Sequence, residues 1–411
     1  MRALIATVGS EGDVQPFLAL GKRLLAEGHD VVFSASDSYT ARADAVGVPF
    51  VGRPTWNETE FQANYLRIIS EKNKLRQLTV VIEFLAQEQR AAIPQLMALA
   101  READVVIHSP LAIGAVAAAR AVGTPHVSVH HTWPLRRARG HGPTNVDLGP
   151  VGNALAWAVT GAGVRLATDK LLNHVVAAAG LPPWRDILFD ASHSRLLNLI
   201  AISPHTLEHD PLFGPAYLNT GYWFLDEPDY VPPDDLAAFV ADEPPVVIGF
   251  GSNNGFDANA VTEQLLDAVR GLGRRVVLLS GWAGLGDQEL PPHVFLAGFV
   301  PHGWLYARAA CVIHHGGAGT TAAAFRAGIP QAVVWLQGDQ LHWGRRIAQL
   351  GVGPSPRSQH ALKAGWLRGA LDSLLNNGDM AARARALGTA IREEDGTGMA
   401  VRAIEKVFAA G

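Results

Sequence analysis

The chain alternates short apolar runs, many of them rich in β-branched residues, with segments of helical periodicity along most of its length. Strands covered on both faces of a sheet read as continuous apolar runs, whereas helices repeat apolar residues every three or four positions. The alternation predicts an α/β protein built on parallel sheets. The predicted strands are Leu4–Val8, Asp30–Ala35, Val105–His108, His126–His130, Leu197–Ile202, Tyr217–Thr220, Val246–Phe250, Val276–Ser280, Phe295–Phe299, Val312–His315 and Gln331–Leu336.

The alternation is interrupted at 226–245, where the sequence DEPDYVPPDDLAAFVADEPP is dominated by proline and acidic residues. We interpret this segment as an interdomain linker and the expected hinge. The 411 residues are then predicted to form one Rossmann-like domain over 1–225 and a second over 246–395. A C-terminal helix is expected within 396–411.

Composition excludes several classes of protein. The 34 Lys and Arg against 38 Asp and Glu give a net charge of −4, which argues against a nucleic-acid binder. Cys311 is the single cysteine, so disulfides within the chain and thiolate metal sites are excluded. The sequence has no apolar run of about 18 residues, so we expect no membrane span and a cytoplasmic location.

The sharpest local signal is CVIHHGGAGTT, from Cys311 to Thr321. An apolar strand enters a glycine-rich turn, and a helix is predicted to open near Thr320. Glycines in the turn let the backbone approach a ligand, and the helix start offers N–H groups and the positive end of the helix dipole. The pattern indicates an anion site, typically for a diphosphate. A tight turn without a ligand is the alternative.

Two standard nucleotide-binding patterns are absent. The chain lacks G-x-x-x-x-G-K-[ST], which excludes a P-loop NTPase. The Gly249-Phe-Gly251 pair lacks a third glycine in register, so it does not support a dinucleotide fingerprint.

The segment Val300–Ile347, beginning VPHGWLYARAACVIHHGGAGTT, resembles the donor-binding signature of GT-B nucleotide-sugar glycosyltransferases. It is most similar to sterol glucosyltransferases and to bacterial natural-product glycosyltransferases of antibiotic pathways. The opening GSEGDVQPFLALGKRLLAEGHDV resembles the first motif of the same group, and Gly249–Ser252 resembles the first turn of its second domain. The resemblance implies a GT-B fold, with two Rossmann-like domains whose parallel sheets face an interdomain cleft. It also implies that the last helix packs back across the first domain.

The resemblance implies a site for a UDP- or dTDP-sugar in the second domain. Asp339 also fits a helix N-cap before Gln340, and His302 also fits a helix-start residue. The implied diphosphate ligands are Ser252, His315, Gly316, Gly317, Gly319, Thr320 and Thr321; the implied sugar ligands are Asp339 and Gln340; the implied nucleobase contacts are Phe299, Val300 and His302.

Asp13 is the candidate general base. It follows the first predicted strand, and ligands of open α/β sheets bind at the carboxyl ends of the strands. An N-cap for a helix beginning at Val14 is the alternative role. The resemblance implies inverting transfer without a metal or other cofactor, and the sequence has no D-x-D pair.

The aromatic-bearing stretches 54–90 and 132–195 are implied to bind a small lipophilic acceptor with a hydroxyl, such as a natural-product aglycone or a sterol. The candidate residues of the acceptor loops are Ser10, Gly12, His131 and Trp133. Two other functions stay open at this point: a catalytically silent auxiliary partner of another glycosyltransferase, and a nucleotide-sugar epimerase. The oligomeric state is expected to be a monomer or a weak homodimer.

Overall fold

The chain folds into two compact units, Met1–Leu225 with Asp395–Gly411 and Asp226–Glu394. They are seen in a computed structural model that describes residues 1–54, 71, 73–132, 137–143, 146–207, 210–227, 229–250, 258–280, 290–336 and 339–408. Each unit is built around one sheet.

Unit 1 contains a seven-stranded sheet in which each neighbouring pair of strands is parallel. Its strands are β1 (Arg2–Ala6), β2 (Asp30–Ser36), β3 (Phe50–Arg53), β4 (Val105–His108), β5 (His126–His130), β6 (Leu197–Ile200) and β7 (Tyr217–Asn219). Its helices in the first part of the chain are α1 (Glu11–Ala26), α2 (Thr40–Val46), α3 (Lys74–Arg101), α4 (Ile113–Val122) and α5 (Gly149–Ala178). The order β3-β2-β1-β4-β5-β6-β7 reverses direction between β1 and β4. Such a reversal leaves a crevice at the carboxyl ends of the two strands, where α/β proteins bind ligands.

Strand β1 shows why the strands are apolar without alternation. Ala3 and Ile5 are buried in a core that includes residues of α1, whereas Leu4 and Ala6 are buried in another core with residues of α3 and α4. Successive side chains of a strand point to opposite faces, so a sheet covered on both faces favours apolar residues at successive positions.

Unit 2 repeats the plan with a six-stranded parallel sheet of order β10-β9-β8-β11-β12-β13. Its strands are β8 (Val246–Gly249), β9 (Val276–Leu279), β10 (Val294–Ala297), β11 (Cys311–His314), β12 (Gln331–Trp335) and β13 (Arg357–Ser358). Its helices are α6 (Asp234–Ala241), α7 (Ala258–Val269), α8 (His302–Tyr306), α9 (Ala318–Ala327), α10 (Gln340–Gln349), α11 (Ala364–Asn376) and α12 (Gly378–Arg392). The reversal of strand order falls between β8 and β11, so the glycine-rich turn after β11 lies at that point.

The segment 226–245, interpreted as a linker, belongs to unit 2 as far as it is described. Its helix α6 buries Leu236 and Val240 in a core cluster with Val247 and Val277. The segment rich in proline and acidic residues therefore contains a helix that packs against the core of unit 2.

The last helix, α13 (Gly396–Phe408), belongs to unit 1 although it follows unit 2 in sequence. Ala400, Val401 and Ile404 are fully buried in the same core cluster as Ile5. At the start of the helix, a Cβ on Gly396 would lie 2.4 Å from the carbonyl oxygen of Tyr222. The backbone of unit 1 thus leaves room for glycine alone at that contact.

Several element boundaries differ from the sequence prediction; strand β1, for example, spans Arg2–Ala6 rather than Leu4–Val8. Helix α1 begins at Glu11 rather than Val14, because Ser10 occupies the N-cap position. The short edge strands β3 and β13 were not predicted; four and two residues are too few to show a period.

In the described part of the chain, no helix combines the length and apolar character needed to cross a membrane.

We expect Ile404→Ala to destabilise unit 1, because the fully buried side chain would leave a cavity. The free energy of unfolding should fall by about 2–5 kcal/mol in urea titrations. Met399→Ala, on the same helix but 41% exposed, is the matched control and should change it little. Equal effects of the two substitutions would contradict the packing of α13.

Candidate active site

The carboxylate of Asp13 lies in the first turn of α1, directly after β1. Its Oδ2 accepts hydrogen bonds from the backbone N–H of Ser10 at 2.7 Å and from the Ser10 hydroxyl at 3.0 Å. Its Oδ1 lies 3.0 Å from Nε2 of His131. Asp13 is therefore not the N-cap residue of α1, as the alternative supposed. The N-cap residue is Ser10, which donates both hydrogen bonds to Oδ2 of Asp13.

Gly9 makes this arrangement possible. Its φ is 128°, and a Cβ there would lie 2.3 Å from Asp13 Oδ2. Any other residue would both strain the backbone and displace the carboxylate. Gly12, the other glycine of this loop, is in open surroundings: a Cβ there would meet only the Ser10 hydroxyl, at 3.9 Å.

The electrostatics around Asp13 favour the ionised carboxylate. Burial by itself would raise the pKa of Asp13, but the hydrogen bond and charge of His131 and the two hydrogen bonds from Ser10 together lower it below its usual value. The side chain remains 27% exposed. It is thus an ionised group within reach of a ligand.

His131 follows β5 and is the main partner of Asp13 from a distant part of the chain. Its side chain is 6% exposed, its ring packs edge-on against Phe17 with centroids 5.3 Å apart, and its buried Nδ1 has no hydrogen-bond partner. Asp13, Ser109 and His131 contribute to the lining of a cavity of about 30 Å³, which is large enough to hold a water molecule. The preceding His130 instead places its ring 4.8 Å from that of His193.

Arg53 supports the loop before Asp13 and was not singled out from the sequence. It is 2% exposed, and its guanidinium donates to the carbonyl oxygens of Thr7 at 2.6 Å and Ser34 at 2.7 Å. The carboxylate of Glu88 lies 3.7 Å away. A buried arginine at the end of a strand is invisible in a periodicity analysis, which treats it as a surface residue.

In unit 2, the glycine-rich turn after β11 has the geometry of an anion site. Gly317 is the N-cap of α9, and no side chain caps the helix. Gly316 has φ 90°, and a Cβ there would lie 2.9 Å from the carbonyl oxygen of Gln340. A Cβ on Gly317 would lie 2.4 Å from Nε2 of His315, whereas one on Gly319 would meet nothing within 4 Å. The turn is closely packed on one side and open at Gly319.

Two polar side-chain atoms of this turn are buried without a hydrogen-bond partner: Nδ1 of His315 and the hydroxyl oxygen of Thr321. Buried polar atoms in native structures are nearly always hydrogen-bonded. Together with the uncapped N–H groups at the start of α9, they form a set of donors suited to a phosphate group. Thr320 is half-buried at the same helix start.

The histidines around the turn are held neutral. Burial lowers the pKa of His302 to about 4; burial, and to a smaller extent the repulsion that a protonated His302 would exert, lowers that of His315 to about 4. His302 stacks on Tyr306 with ring centroids 4.8 Å apart, at the first position of α8. A neutral imidazole carries one N–H donor and one acceptor.

Gln340 lies against the glycine-rich turn, as the Gly316 contact shows, and Asp339 precedes it in the chain. Asp339 occupies the N-cap position of α10, but its side chain makes no capping bond; its Oδ2 accepts a hydrogen bond from the indole N–H of Trp343 at 3.2 Å. Gln340 Oε1 accepts one from the backbone N–H of Leu336 at 2.8 Å. Asp339 therefore stands at the N-cap position, as the alternative supposed, but its side chain does not cap the helix.

The residues expected to contact a nucleobase differ in exposure. The ring of Phe299 is 74% exposed, whereas Val300 is 5% exposed and belongs to a core cluster. Only the backbone of Val300 is therefore left to contact a nucleobase. Ser252 and Trp133 lie outside the described residues. Within the described ranges, no group of three or more His, Cys, Asp or Glu side chains is arranged to hold a metal ion.

Two family models match the chain, one in each unit. The glycosyltransferase family 28 N-terminal domain matches residues 3–128, and the erythromycin biosynthesis protein CIII-like C-terminal domain matches residues 263–397. Each covers about a third of the chain.

Two relatives that match almost the whole of this chain decide the family. A sterol 3-beta-glucosyltransferase of Arabidopsis thaliana is 31% identical over 99% of this chain and 68% of its own length. The O-mycaminosyltylonolide 6-deoxyallosyltransferase of Streptomyces fradiae is 31% identical over 99% of this chain and 97% of its own. The chain belongs to the glycosyltransferase family that contains these two enzymes. It spans less of other members: 29% of a sterol 3-beta-glucosyltransferase of Aspergillus clavatus, at 32% identity over 98% of this chain.

Solved structures of similar fold agree with the two-sheet architecture. The glycotransferase of kitacinnamycin has a TM-score of 0.76 and 19% identity, with 99% of both chains covered. The glycosyltransferase VinC, solved in complex with dTDP, has a TM-score of 0.71 and 21% identity, with 100% of both chains covered. The predicted GT-B fold is confirmed.

The neutral histidines predict an acid-sensitive unit 2. His302 and His315 have folded-state pKa values of about 4, below the unfolded value of about 6.5. Protonation therefore favours the unfolded chain, so stability present above pH 6.5 is lost as the pH falls towards 4. We expect His315→Gln to reduce the loss of unfolding free energy between pH 7 and pH 4.5. Urea titrations at both pH values measure it, with the exposed His360→Gln as control; equal losses in the two variants would contradict the assignment.

Proposed function

We propose that the chain transfers a hexosyl or deoxyhexosyl group from a UDP- or dTDP-sugar to a hydroxyl of a lipophilic acceptor, with inversion and without a metal ion. The acceptor class is supported by the names of the relatives, which act on sterols and on mycaminosyltylonolide. The donor class is supported by the neighbour solved with dTDP and by the unpartnered donors at the start of α9.

The observation that carries the proposal is the coordination of Asp13. A carboxylate oxygen accepts up to two hydrogen bonds. Ser10 supplies two to Oδ2, whereas His131 contacts Oδ1 alone. We infer that the remaining acceptor site on Oδ1 receives the proton of the attacking hydroxyl. His131 holds the carboxylate in place and is a positioning residue.

The reaction is a single displacement. The acceptor oxygen forms a bond to the anomeric carbon while the bond from that carbon to the diphosphate oxygen breaks, and the electron pair leaves with the nucleoside diphosphate. The hydroxyl proton passes to Asp13. Because the pKa of Asp13 is lowered, the carboxylate is a weak base for an alcohol, and the proton moves only as the new bond acidifies the hydroxyl.

The leaving diphosphate gains negative charge as the bond breaks. In the proposal, the N-terminus of α9 and the hydroxyl of Thr321 stabilise that charge, and neutral His315 donates one hydrogen bond to it. Gln340, which lies beside the same turn, and the preceding Asp339 are proposed to bind sugar hydroxyls, and the exposed ring of Phe299 to contact the nucleobase. This set of groups supplies the stabilisation that a divalent cation provides elsewhere.

The test of the function is a screen of UDP-glucose and dTDP-sugars against sterol, macrolide and phenolic acceptors in the presence of EDTA, read by mass spectrometry. We expect a glycosylated acceptor, and a decrease of about 10²–10⁴ in kcat for Asp13→Asn. Activity that disappears with EDTA and returns with manganese would contradict the metal-free mechanism. Conversion of the donor without any acceptor would indicate the epimerase alternative.

The positioning role of His131 predicts different outcomes for two substitutions. His131→Gln keeps an N–H near the position of Nε2 and should retain most of the activity, whereas His131→Leu should lower kcat by about tenfold, as expected for the loss of a hydrogen bond to a charged group. Without that bond the pKa of Asp13 rises, so the acid limb of the pH–rate profile should move to higher pH in His131→Leu. An unmoved acid limb, with kcat equally lowered in both variants, would contradict the role.

A further inference from the structure

Helix α5 carries a row of large aliphatic side chains that faces solvent. Val151 is 83% exposed, Leu155 65%, Val159 66% and Leu166 86%. Spacings of four, four and seven residues place them on one side of the helix. Between Gly149 and Val164 the helix has no charged residue. We call these four residues the α5 stripe.

The orientation of α5 is fixed by hydrogen bonds on its opposite side. The amide of Asn153 donates to the carbonyl oxygen of Arg139 at 3.0 Å and accepts from the backbone N–H of Leu148 at 2.9 Å. The indole N–H of Trp157 donates to the carbonyl oxygen of His141 at 2.8 Å. Asn153 and Trp157 are 1% and 6% exposed. The stripe cannot turn inward without leaving these buried polar groups unpaired.

An apolar surface of this length is uncommon on a monomeric protein and marks an interaction site. We propose that the α5 stripe is a homodimer interface, in which two copies of α5 pack antiparallel about a two-fold axis that passes between Ala158 and Val159. The inference does not depend on the transfer reaction.

The sequence of α5 is complementary to itself in this register. A two-fold axis at that point places each residue opposite the one whose number brings their sum to 317. Leu155 then faces Ala162 of the second copy, and Val159 faces Ala158, so that large side chains meet small ones as close helix packing requires. Val151 faces Leu166. A parallel pair would instead place Leu155 against Leu155.

Charges at the two ends of the stripe agree with the antiparallel register. Asp147, which lies two residues before the first residue of α5, and Lys170 are both exposed, so the antiparallel arrangement brings an acidic residue at one end of α5 towards a basic residue at the other end of the second copy. Each end of the proposed interface therefore pairs a carboxylate with an ammonium group, whereas a parallel pair would place like charges together. Hydrogen bonds from the Gly149 N–H and from Asn153 lower the pKa of Asp147, which keeps it ionised.

A lipid surface is the other occupant that an apolar helix can have. Helices that lie in a membrane interface carry many Lys and Arg residues on the polar face and aromatic residues among the apolar ones. The face of α5 opposite the stripe is buried, and the stripe contains no aromatic residue. The pattern therefore favours a second copy.

The first test is the sedimentation of the full chain over a range of concentrations. We expect a dimer whose dissociation constant rises at least tenfold in Leu155→Glu and in Val159→Glu. Val231→Glu, which adds the same charge at an 82% exposed valine of unit 2, is the control and should not change it. A monomer at all concentrations would overturn the proposal. So would a monomer that binds lipid vesicles, or one in which Leu155→Glu impairs only acceptor binding.

The second test fixes the register through cross-linking, since the natural Cys311 is buried. With a short bismaleimide, Ala158→Cys should give a covalent dimer, because the two copies of residue 158 lie beside the axis. Lys170→Cys should not, because the two copies of residue 170 are separated by 23 residues along the antiparallel helices, or about 35 Å. Cross-linking of Lys170→Cys with none at Ala158→Cys would contradict the register.

Discussion

The parallel arrangement of both sheets is the constraint on which the other features depend. It requires each central strand to be covered on both faces, which makes most strand residues apolar, although Ser128 and Asn198 are buried within β5 and β6. It also brings the carboxyl ends of strands distant in sequence to one edge. Asp13, after β1, and His131, after β5, are 118 residues apart in the chain and 3.0 Å apart in the structure for this reason.

The Asp13 carboxylate combines a structural and a proposed chemical role. The hydrogen bonds from Ser10 satisfy the start of α1, and they occupy Oδ2 alone. The contact with His131 occupies one acceptor site of Oδ1 and leaves the other for the proposed proton transfer. The same contacts that hold the carboxylate lower its pKa, so rigid placement is obtained at the expense of basicity. In unit 2 the polar groups of the candidate site are not satisfied within the protein. His315 and Thr321 have buried polar atoms without hydrogen-bond partners, which an anionic ligand would supply.

The sequence alone predicted the two-sheet architecture, the central strands and the strand–turn–helix around Gly316, because continuous apolar runs and glycine turns are local signals. The residue roles came from the resemblance to a family and remain predictions. The contacts that organise the site were not predictable. The pairing of Asp13 with His131 and the support of Thr7 by buried Arg53 depend on which strand ends become neighbours, and that information is not local. The α5 stripe was not predicted for a related reason, since its apolar residues were attributed to an acceptor pocket.

The central claim is a single displacement at the anomeric carbon with Asp13 as the base. The anomeric configuration of the product tests it most directly. With an α-linked donor such as UDP-glucose, proton NMR of the product at early times should show a large coupling between H1 and H2, as for a β-glycoside. An α-glycoside as the first product would contradict the account, because retention requires either a second displacement or a front-face mechanism that the proposed role of Asp13 does not provide.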